Sequence, residues 1–304
     1  MDCALPCGRP AAALNVHTDA HSPHLATVSA VGTFRHDSFD FFYDRSGEGR
    51  RLLFCNGSGA SVASSLPLLK VFRRHFDLAV HDQRGLGQTG LRNEEGGPRE
   101  STNEHWTMAD YAGDALAFAD HLGWDTFRLV GVSFGGMVAQ ELAVTAPERV
   151  ERMALLCTSS GGVGGSSFPL HELAARLADD PSLALTLSDG RFTPAWLAEH
   201  PTDAALVEAR RDGAMRTRTA DEILGERLQL EARGRHDVWD RLGAISCPTL
   251  VASGRYDLTA PAANGEAIAL AIPNAQFRVY EGGHPFFAQD PSALPETFEF
   301  LNNE

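Results

Sequence analysis

Gly131-Val132-Ser133-Phe134-Gly135 places one serine between two glycines, each two positions away. The strand-forming run "FRLVGV" precedes it and the helix-forming run "MVAQELA" follows. That is the context in which the pattern G-x-S-x-G carries chemistry. The serine falls at the bend between strand and helix, where small residues at 131 and 135 let the two approach and lift the hydroxyl above the sheet. Such a hydroxyl is suited to attack a carbonyl carbon. The following helix aims free N–H groups and the positive end of its dipole at the same spot, so the N–H of Phe134 is a candidate oxyanion donor.

The elements that must hold this turn are visible as a beat. Short apolar runs of strand length recur at 50–55, 76–82, 125–132, 150–157, 247–253 and 275–281. Between them lie segments with helical spacing, such as Met108, Tyr111, Ala112, Ala115, Phe118, Ala119 and Leu122. Alternating strands and helices predict a mostly parallel sheet with helices on both faces. "ATVSAVGTFR" and "SFDFFYDRS" add two strands joined as a hairpin or bend ahead of that beat. The pattern breaks once: "GGVGGSS" (161–167) reads as a flexible hinge, and the chain from Phe168 to about Asp237 reads as helices only. Residues 1–26, rich in Pro, Ala and His without periodicity, are expected to form a mobile extension.

With these features the chain resembles the α/β-hydrolase family over roughly residues 26–304. The resemblance implies a core of 27–160 and 238–304, carrying a mostly parallel sheet of the eight-stranded type, and an all-helical lid at 161–237. In that family the nucleophile comes first in sequence, then an acid, then a histidine. Asp257 in "SGRYDLTAP" and His284 in "EGGHPFF" follow Ser133 in that order, each in a loop after a late strand, the side of an open α/β sheet where ligands bind. Asp257 could instead be only a turn cap. Some relatives place the acid after the strand at 150–157, where this chain has Thr158, Ser159 and Ser160 and no carboxylate. His81 and His121 read as strand-end and helix-end residues. The glycine pair before His284 permits a tight approach, and a helix is expected to start near Pro291.

The resemblance also implies a second oxyanion donor in the loop "FCNGSGAS", by position the N–H of Ser58. Relatives usually have His-Gly there. Asn56-Gly57 in this chain is similar to the form in 3-oxoadipate enol-lactonases, and Asn56 is expected to support the loop by side-chain hydrogen bonds. "DQRGLGQTG" (82–90) contains G-x-G-x-x-G, the dinucleotide fingerprint, but "LRNEEGGPRES" opens no helix after it. It resembles instead the turn after the fourth strand in α/β-hydrolases, which Asp82 and Arg84 would fix.

The function implied is a serine hydrolase, Ser133 with His284 and Asp257, acting on a small-molecule carboxylic ester or lactone. The same three residues serve carbon–carbon bond hydrolases of vinylogous diketones and persist in silent ligand-binding members. An aspartate at 133 would be required for epoxide or haloalkane chemistry. The base is expected to titrate near or somewhat below pH 7. No cofactor or metal is implied. Cys3, Cys7, His17, His21 and His24 lack zinc-type spacing, and Cys55, Cys157 and Cys247 read as small buried hydrophobes. The formal charge of −14, from 40 acidic and 26 basic side chains, repels nucleic acid and anionic membranes. Five cysteines without framework spacing, no leader pattern and no membrane-length apolar stretch predict a cytoplasmic location. Self-association into a homo-oligomer is left open.

Overall fold

A computed structural model describes residues 28–90, 105–172, 183–214 and 217–304. Eight strands form one sheet: β1 (Val28–His36), β2 (Phe39–Gly47), β3 (Arg50–Cys55), β4 (Phe76–His81), β5 (Phe127–Val132), β6 (Val150–Leu156), β7 (Thr249–Gly254) and β8 (Ala275–Tyr280). Their order is β1-β2-β4-β3-β5-β6-β7-β8. β1 and β2 form the antiparallel hairpin read from the sequence, β2 joins β4 antiparallel, and every pair from β4 to β8 is parallel.

The central strands are mostly apolar because both faces are covered, with Asp77 of β4 and Arg128 of β5 as buried exceptions. Alternate side chains of β3 divide between them. Leu53 and Cys55 meet the face packed by α2 (Met108–His121), α3 (Phe134–Thr145) and α8 (Ala262–Ala271). Leu52 and Phe54 meet α1 (Val62–Phe72) and α10 (Ala293–Asn302) on the other. Each such side chain, removed from water, stabilises the fold by about 1.5–3 kcal/mol. The stiffest part of the sheet therefore lies directly beneath the turn that follows β5.

Between β6 and β7 the described residues hold α4 (Leu183–Ser188), α5 (Pro194–Glu199), α6 (Pro201–Ala214) and α7 (Ala220–Gly234), with three 3-10 turns and no strand. α7 starts with reciprocal capping between Thr219 and Glu222. In the glycine stretch expected to be a hinge, Gly161 and Gly164 are buried while Gly162 and Val163 are exposed. The stretch forms a 3-10 turn at Gly162–Gly164. Gly161, at φ 74°, lies so close to the carbonyl of His236 that a side chain would collide with it. After His284 a short helix α9 (Phe286–Gln289) comes before α10, which begins two residues beyond Pro291. The N-terminal extension and "LRNEEGGPRES" lie outside the described residues.

Candidate active site

Ser133 sits between the last residue of β5 and the first of α3, with φ 54° and ψ −113°. That backbone conformation is uncommon for a side chain with a Cβ and must be held by its surroundings. The N–H of Ser133 donates to the carbonyl of Leu156 at 2.8 Å, and its own carbonyl accepts from Thr158 Oγ1 at 2.8 Å and from Gly136 N–H at 2.9 Å. A Cβ at Gly131 would strike the backbone of Gly135, and one at Gly135 would strike the carbonyls of Cys55 and Asn56. Both flanking glycines are thus required by space. Gly135→Ala is expected to destabilise the protein by about 1–3 kcal/mol through forced backbone shifts, and the measurement is chemical denaturation beside wild type.

The two loops after β7 and β8 bring Asp257 and His284 to this turn. His284 Nε2 lies 3.0 Å from Ser133 Oγ, and its Nδ1 lies 2.7 Å from Asp257 Oδ2. Asp257 is buried, and its Oδ1 accepts the N–H groups of Thr259 and Ala260, each at 2.8 Å. It therefore caps its own turn and faces the imidazole at the same time. Gly254 and Gly283 pack backbone against backbone, which brings the glycine pair of the histidine loop close to the aspartate loop.

Both loops are fastened to the segment 187–190. His284 N–H donates to Ser188 O at 2.5 Å, Thr259 Oγ1 donates to Leu187 O at 2.9 Å, and Gly190 N–H donates to Tyr256 O at 2.9 Å. Gln289 adds a further tie, accepting from Gly283 N–H at 2.8 Å and donating to Asp189 Oδ2 at 2.9 Å.

Burial opposes the imidazolium of His284, but the Cys157 sulfur and the Asp257 carboxylate beside the ring favour it more strongly. The net effect holds His284 above its ordinary range, not near or below 7 as the sequence suggested. Cys157 follows β6 at φ 47°.

On the opposite side of Ser133, no hydrogen bond among the described residues takes up the N–H of Ser58 or of Phe134. A Cβ at position 57 would make ordinary contacts, 3.5 Å from the Val132 carbonyl and 3.7 Å from the Cβ of Ser133, so this loop lies against the serine turn. Asn56 does not act as expected: its Nδ2 is buried without a partner among the described residues, and its main-chain carbonyl accepts from Gln83 Nε2 at 3.2 Å. The loop is held instead by Gln229 of α7. Gln229 Oε1 accepts from Gly59 N–H at 2.7 Å, and Nε2 donates to Gln83 Oε1 at 2.5 Å. Sequence reading had no local signal for this glutamine pair.

The other motif residues have structural positions. Asp82 accepts from Val62 N–H at 2.6 Å and Gln88 N–H at 2.8 Å, which closes the glycine turn. Arg84 donates to Asp114 at 2.5 and 2.7 Å and to Asp37 at 2.8 Å. His36, Asp37 and Asp114 form a compact group, but the Arg84 guanidinium already bonds both of its carboxylates. His81 and His121 end β4 and α2 as read. Cys3, Cys7, His17, His21 and His24 lie outside the described residues. Among the described residues no helix is long and apolar enough to cross a membrane.

Known proteins share this arrangement of elements. A protein named as a candidate carbamate hydrolase RutD, from Azorhizobium caulinodans, is 25% identical over 265 residues, covering 84% of this chain and 92% of its own. The 3-oxoadipate enol-lactonase 2 of Acinetobacter baylyi is 24% identical, covering 82% of this chain and 86% of its own. The crystal structure of a hydrolase from Pseudomonas aeruginosa PA01 superposes with a TM-score of 0.67 at 26% identity, covering 90% of this chain and 98% of that one. The model of the alpha/beta hydrolase fold matches residues 50–291. The chain, with its eight-stranded, mostly parallel sheet and flanking helices, belongs to the α/β-hydrolase family.

Proposed function

We propose that this hydrolase cleaves carboxylic esters and lactones through an acyl-enzyme on Ser133. The observation that carries the reading is the unbroken hydrogen-bonded chain from Ser133 Oγ through His284 to Asp257, with the main-chain donors of Ser58 and Phe134 unused among the described residues. His284 Nε2 accepts the hydroxyl proton as Oγ attacks the carbonyl carbon, and Asp257 keeps the remaining N–H on Nδ1. The N–H groups of Ser58 and Phe134 take the oxyanion, each contributing roughly 3 kcal/mol to the transition state. The imidazolium returns its proton to the leaving oxygen, and water repeats the sequence to release the acid. These steps call on no metal or organic cofactor. The likeness to an enol-lactonase supports a cyclic or open ester as the substrate class.

The test is hydrolysis of 4-nitrophenyl acetate and of a simple γ-lactone, followed from pH 5 to 9. The base works only when neutral, so the rate rises with pH through the His284 titration. Since the folded site holds that imidazole above its ordinary range, the midpoint of the acid limb is expected above 7. A flat profile, or a midpoint at or below about 6.5, contradicts His284 as the base. Turnover of a carbamate with neither ester nor lactone cleaved contradicts the substrate class.

A further inference from the structure

Arg233, in the last turn of α7, is only 5% exposed, and His236 just beyond the helix only 7%. Arg233 Nη1 donates to Phe168 O at 2.5 Å, while Nε and Nη2 are buried with no partner among the described residues. Both ring nitrogens of His236 are likewise buried and unpartnered. The two side chains line one cavity of about 230 Å³, together with Ser166, Ser167, Pro169 and Met137. Burial lowers Arg233 to about 10 and His236 to about 4, so at neutral pH the Arg233 guanidinium is charged and the His236 ring is not.

A buried guanidinium with idle donors is costly to maintain, since it has lost water and has no hydrogen-bonded counter-ion among the described residues. Two nearby carboxylates are engaged elsewhere. Asp257, which attracts Arg233 electrostatically, spends its oxygens on Thr259, Ala260 and His284. Glu141, which faces His236, is paired with Arg241 at 2.6 and 2.7 Å. The missing partner is a small anion with two acceptor oxygens, the shape a guanidinium fork matches.

The cavity and the serine turn share α3, and α7 carries both Arg233 and a residue that holds the loop of Ser58. Met137 N–H bonds to the carbonyl of Ser133 at 3.3 Å. Gln229, one turn before Arg233 on α7, holds the loop of Ser58. We infer that Arg233, assisted by His236, forms a carboxylate-binding subsite. Its occupant is either the second acid group of the ester substrate or a separate small carboxylate bound beside the site. The first source rests on the proposed hydrolase reading; the second does not.

The experiment compares 4-nitrophenyl hydrogen succinate with the near-isosteric neutral 4-nitrophenyl valerate, and adds melting curves in millimolar succinate. If the substrate supplies the acid, wild type prefers the succinate ester by tenfold or more in kcat/KM, chiefly through KM. Arg233→Met brings that ratio towards one, and Arg233→Lys restores part of it. If a separate carboxylate binds, succinate raises the melting temperature of wild type and of Ser133→Ala but not of Arg233→Met, and the two esters react alike. Either result supports the subsite. A folded wild type with neither ester preference nor succinate shift overturns it, as does a preference that survives in Arg233→Met. Turnover of the neutral valerate, compared between wild type and Ser133→Ala, tests the hydrolase reading independently. Removal of an unpaired buried charge is expected to leave Arg233→Met folded, and the wild-type measurements stand without it.

Discussion

Ser133→Ala is expected to lower kcat on a cleaved ester by roughly a millionfold, in line with loss of the nucleophile in a serine hydrolase, while leaving the protein folded. The first half follows from the attacking atom itself, for which no other hydroxyl is placed beside His284 Nε2 among the described hydrogen bonds. The second follows from what holds the turn. The bonds from Leu156, Gly136 and Thr158 run to the main chain of residue 133 and do not involve its hydroxyl. A melting temperature close to wild type with residual activity near background meets this expectation. Retention of more than about one part in a thousand of the ester activity assigns the chemistry elsewhere.

Asp257→Asn is expected to cost about four orders of magnitude in kcat, and the reason is directional. Asp257 Oδ1 accepts two main-chain N–H groups from Thr259 and Ala260. An asparagine must keep its carbonyl oxygen there and turn its NH₂ towards His284. Nδ1 then becomes the acceptor, so the neutral ring carries its proton on Nε2 and cannot receive one from Ser133. Loss of the carboxylate also removes a stabiliser of the imidazolium, so the residual activity should titrate at lower pH than wild type. Parallel pH–rate profiles of the two proteins check both points; an unshifted acid limb with nearly full activity contradicts the role.

Much of this site was legible because its parts sit at local landmarks. The strand–serine–helix transition marks Ser133, and the ends of two late strands mark Asp257 and His284. The glycines at 131 and 135 announced a close approach that the packing requires. What the sequence could not convey is long-range. Ser188 and Leu187 fasten the loops of His284 and Asp257 through carbonyl oxygens, which any residue type provides. Gln229 reaches the loop of Ser58 across 170 positions and leaves no periodicity behind. Arg233 lies in "EARGRH", which reads as a solvated helix end, yet the fold buries it. Cys157 is the small buried thiol expected, and the fold sets its sulfur beside the imidazole as well. Asn56 was misjudged because its type suggested side-chain bonding, whereas the loop uses its main-chain carbonyl.

Reaction with a fluorophosphonate, followed by peptide mass spectrometry, tests the central geometric claim most directly. Attack on phosphorus requires a serine oxygen whose proton an adjacent imidazole can remove. A single adduct on the peptide containing Ser133, absent from His284→Ala, is the result this account predicts. An adduct on another residue, or none at all from folded and active protein, would contradict it.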